Sequence, residues 1–164
     1  MEKSTIPDDL TWGADLKGRG VLNTFDMMVG LSMILLSLAA VAVDALNLYA
    51  IKKLTIFHNA FGIFWVSRTI AEIGYNLGHV VYSGPITAFQ PKDIPPSLGI
   101  ADFFIGYYFA AVSCTMNQCV SVNRLVAVCF PLKYNFIFTN KIAGIVIMLA
   151  WLLVAALISL YFGR

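Results

Sequence analysis

The chain has 164 residues, 59% of them apolar and only 12% charged, with a formal net charge of +2. Soluble domains run at about 45–50% apolar and about a quarter charged, and disordered chains combine low hydrophobicity with high net charge, so both classes are excluded. What remains is a membrane protein of several spans, and at about 20 apolar residues plus a loop per span the length allows about four. Residues 1–25 read as a polar tail of mixed charge, without the basic start and immediate apolar core of a cleaved signal peptide. The first span then acts as its own insertion signal. Residues 27–43 carry no charge, and with Asp44 and residues 45–51 they make one helix that Lys52 and Lys53 stop. The second span is expected over 56–82, interrupted by Arg68 and Glu72. It should end before a loop at 83–98, where Pro85, Pro91, Pro95 and Pro96 argue against a continuous helix. The third is expected over 99–130, with 103–123 uncharged before Arg124 and with Pro131 as its stop. The fourth, 142–163, has no charge at all. The expected fold is all-α, a polytopic transmembrane helical bundle in the lipid bilayer.

Lysine and arginine counts in short flanking loops set orientation. Lys52 and Lys53 lie in the loop between spans one and two. Lys133 and Lys141 lie between spans three and four, with Arg124 at the helix end. The loop between spans two and three holds only Lys92, and the tail holds Lys3, Lys17 and Arg19. The bias predicts an extracellular N-terminus and places the first and third loops in the cytoplasm. The net charge is too small to indicate a nucleic-acid partner.

Ser113, Asn117, Ser121 and Arg124 recur at helical spacing and share one face of the third span, a candidate polar face for helix packing or for ligand. Asp102 and Gly106 extend it. Arg68 and Glu72, four residues apart within the second span, are spaced to pair, because a lone charge in hydrocarbon costs at least about 2.5 kcal/mol. They read equally as a neutralised structural pair and as a functional one. Asp44 is a third intramembrane charge, within reach of Lys52 or the interface. His58 and His79 stand near opposite ends of one span and cannot share a metal. Cys114, Cys119 and Cys129 form no C-x-x-C pattern. With no nucleophile–base set and no glycine-rich phosphate loop, neither an enzyme nor a cofactor or metal is expected.

The most specific segment is Asn123-Arg124-Leu125-Val126-Ala127-Val128-Cys129-Phe130-Pro131-Leu132-Lys133-Tyr134. By position, Arg124 closes the third span, Pro131 bends the chain and Tyr134 can sit at headgroup level. The string resembles the D-R-Y-x-A-I-x-x-P-L-x-Y region of rhodopsin-like G-protein-coupled receptors, with Arg124, Ala127, Pro131, Leu132 and Tyr134 matching. Trp151, 27 residues after Arg124, and Asn47 resemble that family's fourth-helix tryptophan and first-helix asparagine. The resemblance is closer to the nematode serpentine chemoreceptors of class x, which carry N-R followed by F-P-x-x-Y-x-x-I-F-T/S. Here that reads Asn123-Arg124, then Phe130 to Thr139. The pairs Phe61-Gly62 and Ser67-Arg68 also look like that family's second helix.

The resemblance implies a plasma-membrane receptor, in sensory cilia for part of the family, with a small-molecule chemosensory ligand and a heterotrimeric G protein as partners. Asn123, Arg124, Pro131, Leu132 and Tyr134 would face the G protein. Several positions depart from the rhodopsin-like pattern. Asn123 removes the Asp–Arg ion pair, Leu125 replaces a tyrosine, and no cysteine stands at the top of the third span for the extracellular disulfide. The second-helix aspartate has no assigned match, although Glu72 and Asn76 lie nearby. At about 41 residues per span, seven spans would need about 290. The expectation is therefore the N-terminal four-helix portion (26–164) of a seven-transmembrane receptor, truncated and not signalling-competent alone. The alternative is a complete four-span scaffold or transporter-accessory protein, which has no reason to contain the 124–134 string.

Overall fold

The computed structural model describes residues 20–92 and 94–162. Most of the expected 1–25 tail lies outside the described residues. Helix α1 runs Thr24–Lys53, 30 residues and about 45 Å at 1.5 Å per residue. It starts at Asn23, whose side chain accepts the Phe25 N–H at 3.3 Å. Lys52 and Lys53 occupy its last turn, where cations suit the negative end of the helix dipole. A single 3₁₀ turn, Thr55–Phe57, leads to α2, Ala60–Gly78. Asn59 caps α2 by accepting the Gly62 N–H at 3.1 Å. Gly62 is required there, because a Cβ would collide with the Phe57 carbonyl oxygen.

The chain does not leave the helix at residue 83. It passes through a π-helical turn, His79–Ser83, in which the Gly84 N–H reaches back five residues to the His79 carbonyl. It then continues as α3, Gly84–Phe89. This corrects the expected loop over 83–98. Pro85 lies in the first turn of α3, a position where a missing N–H and a fixed φ are tolerated. The path ends at Gln90, in the left-handed region at φ 46, with its N–H on the Ile86 carbonyl at 2.9 Å. Pro95 precedes α4, Pro96–Cys129, while Pro96 opens it, three residues ahead of the expected start at 99. Helices α5, Pro131–Ile137, and α6, Asn140–Phe162, complete the described residues, which contain no strand.

Helix α2 is central and packs against α1, α4 and α6, most extensively against α4. Its buried Ala60, Phe64 and Ala71 meet Val112, Met116 and Val120 of α4 and Ala143, Ala150, Val154 and Ile158 of α6. The last two sets recur at spacings of four and seven residues, so each presents one face inward. Helix α3 folds back onto α1, where Gly30 lets the Ala88 backbone approach. Thr24–Lys53, Ser97–Cys129 and Asn140–Leu160 are each long and apolar enough to cross a membrane. Helix α2, which carries Arg68 and Glu72, is the element the other three shelter. Leu35, Leu46, Leu149 and Leu153 are exposed on the outer helices, the arrangement expected of a bundle whose surroundings are lipid.

Candidate functional site

The first cluster lies at the α4–α5 junction. Helix α4 ends with the Phe130 N–H on the Val126 carbonyl at 2.9 Å, and Pro131 starts α5 without delay. The sharp turn brings Tyr134 back under α4, where its hydroxyl donates to Asn123 Oδ1 at 3.2 Å. Asn123 is 1% exposed, and its Nδ2 meets no acceptor among the described residues. Tyr134 is therefore half-buried and hydrogen-bonded. Its ring stands 5.8 Å from that of Phe138, which meets Phe64 of α2 edge-on at 6.2 Å.

Arg124 points the other way. Its guanidinium lies over the Phe61 ring at 4.9 Å and 6.0 Å from the Trp65 ring, both on α2. Such contacts hold a cation by the negative face of the ring. With Asn47 and Ile51 these residues line a cleft of about 240 Å³. Neighbouring Leu132 is 99% exposed.

The second cluster is a polar belt at mid-bundle. Arg68 Nε and Nη2 donate to Glu72 Oε1 at 2.9 and 2.7 Å, and the Ser113 hydroxyl donates to the same oxygen at 3.3 Å. The Asn76 amide donates to the Glu72 carbonyl at 2.9 Å. Asp44 is 7% exposed and turns inward to a cleft of about 410 Å³ shared with Glu72 and Asn76, away from the Lys52 end of α1. The Trp151 indole donates to Ser67 Oγ at 2.9 Å, tying α6 to α2, and the Tyr108 hydroxyl reaches the Trp151 carbonyl at 3.5 Å.

The expected polar face of the third span thus divides. Ser113 is buried against Glu72, whereas Asn117, Ser121 and Arg124 are exposed, with the Ser121 hydroxyl on the Asn117 carbonyl at 2.9 Å. Sequence reasoning missed the Ser67–Trp151 and Asn123–Tyr134 contacts, although all four residues lie in receptor-like motifs. His58 is exposed, while the His79 ring packs edge-on to Tyr75 at 4.5 Å. No group of three or more His, Cys, Asp or Glu among the described residues could hold a metal. The three cysteines are free.

The Octopamine receptor beta-2R of Drosophila melanogaster is 24% identical over 120 residues. The match covers 73% of this chain and 22% of that receptor, so the chain spans about a fifth of the relative's length. The family described as Serpentine type 7TM GPCR chemoreceptor Srx matches residues 34–164. That range takes in most of α1, the polar belt and the whole α4–α5 junction. Such a family points to a multi-pass membrane receptor and not to an enzyme. With most of its length matched and its charged helix sheltered by apolar ones, the chain belongs to the serpentine seven-transmembrane chemoreceptor family Srx.

Proposed function

We propose that this chain supplies the first four helices of a chemosensory receptor that passes a small-molecule signal to a heterotrimeric G protein. The ligand acts from the side of the N-terminus, which lies outside the cell. The α4–α5 junction faces the cytoplasm. The observation that carries the reading is the junction itself, where Tyr134 clamps the turn to Asn123, Leu132 on the turn is fully exposed, and Arg124, further up α4, is exposed beside the α2 rings. A rigid turn that presents a large apolar side chain, at the end of a helix that also exposes a cation, suits a protein partner. Ser113, Asn117 and Ser121 put polar groups along α4 above it, where ligand or further helices would meet them.

Binding would favour one of two arrangements of the bundle, and the junction would report which is populated. In the testing experiment, this chain is co-expressed with a second chain carrying helices five to seven of a class x receptor. A G-protein activation sensor reads the response to a panel of small odorant molecules. The expected result is a ligand-dependent signal that Arg124→Ala or Leu132→Ala reduces by roughly tenfold or more, about 1.4 kcal/mol, while surface expression holds. A signal that survives both substitutions would sink the assignment of the junction.

A further inference from the structure

The receptor function leaves unused a groove of about 500 Å³ at the end of the bundle where α1 finishes and α2 and α6 begin. One wall is apolar: Leu48 and Ile51 from α1, Ile63 and Val66 from α2. All four are partly exposed, so an alkyl chain in the surrounding bilayer can lie against them. The rim is polar, formed by Lys52, His58 and Asn140. Gly62 and Phe57 complete the lining, and the missing Cβ of Gly62 lets the 3₁₀ turn fold back against α2 at this point.

The charged side chains at this end have one sign. Lys52 and Lys53 close α1, Lys141 lies in the first turn of α6, and neither 52–67 nor 124–142 contains an acid. The positive ends of the α2 and α6 dipoles offset the negative end of α1, which Lys52 and Lys53 cover. An alkyl slot whose mouth offers a lysine, an imidazole and a side-chain amide, with no carboxylate beside them, suits a lipid phosphate with net negative charge. A zwitterionic headgroup would find nothing there to receive its cationic part. A free phosphate would leave the apolar wall unused.

We propose that this groove binds one anionic phospholipid. Its phosphate sits on Lys52, with His58 and Asn140 as further donors, and one acyl chain lies along Leu48, Ile51, Ile63 and Val66. The proposal rests on the chain lying in a bilayer and is independent of G-protein coupling.

The test is native mass spectrometry of the full purified chain from micelles holding equal amounts of phosphatidylserine and phosphatidylcholine. Phosphatidylserine should be retained in excess, by about fivefold for the contribution of one lysine. Lys52→Gln combined with His58→Gln, both at exposed positions, should bring the ratio close to one. Val66→Trp should reduce retention of both lipids by occupying the slot. Lys133→Gln, on α5 and outside the groove, should change nothing. Equal retention of the two lipids by the unmodified chain overturns the proposal. So does an equal loss from Lys133→Gln, which means diffuse attraction to a basic face. Displacement of the lipid by millimolar inorganic phosphate, or a lipid-free dimer in its place, overturns it in favour of a soluble anion or a second copy.

Discussion

The Arg68–Glu72 pair shows how single charged residues can sit in an apolar bundle. Each side chain is about a quarter exposed, and the carboxylate takes three donors on one oxygen, two from Arg68 and one from Ser113. Removing one partner strands the other charge among apolar helices. Arg68→Ala should therefore destabilise the bundle by about 2.5 kcal/mol or more, the cost of a lone charge at mid-span. Arg68→Ala with Glu72→Gln should recover most of that loss, since the new amide would keep an acceptor for Ser113 and carry no charge. A double-mutant comparison of thermal midpoints in detergent checks this, and equal losses from the single and double variants would contradict it. The pair is legible in the sequence because four-residue spacing is a local property of a helix. The Trp151–Ser67 hydrogen bond is not, although both residues belong to receptor-like motifs. They are 84 positions apart, and only the packing of α6 on α2 joins them. The Asn123–Tyr134 bond is hidden for a related reason. Its 11-residue separation crosses a proline turn whose angle no periodicity encodes.

Among the elements, the helical path from Ala60 to Phe89 departs most from its sequence reading. The four prolines in 83–98 look alike as helix breakers, yet their effects depend on position. Pro85 comes after a π turn and falls in a first turn, where it does no harm, and Pro96 starts a helix. A π turn holds one residue more than the α-helix needs, which rotates the next residues about the axis and often marks a functional place in a helix. Here the rotation lets the Ser83 hydroxyl donate to Asp102 Oδ2 of α4 at 2.8 Å and returns α3 to Gly30 of α1. Deleting Val81, whose side chain is 73% exposed, should restore α-helical register and turn Ser83 away from Asp102 by about 100°, one residue's turn at 3.6 residues per turn. Loss of that charge-assisted bond should lower stability by about 1.5–3 kcal/mol. Ser83→Ala in the full-length helix should reproduce a large part of the loss. If the deletion leaves the thermal midpoint in place, the π turn has no structural consequence at this position.

For the molecule as a whole, the proposed sidedness rests on charge. The end that holds the α1–α2 and α4–α6 connections contains Lys52, Lys53, Arg124, Lys133 and Lys141 without an acid among the described residues, while Asp102 belongs to the opposite end. By the positive-inside rule we propose that the basic end lies in the cytoplasm and the N-terminal tail outside. Both the G-protein reading and the natural supply of anionic lipid to the groove depend on that direction, since anionic lipids concentrate in the cytoplasmic leaflet. The sequence contains no N-x-Ser/Thr acceptor, so glycosylation offers a background-free readout. Lys3→Asn creates an acceptor with Thr5 in the tail, and Ile137→Thr creates one on Asn135 at the end of α5. In a cell that glycosylates secretory proteins, the first variant should gain an enzyme-removable mass shift and the second should not. The reverse pattern would invert the bundle. It would then place Arg124 and Leu132 out of reach of any G protein, whatever the resemblance of the junction.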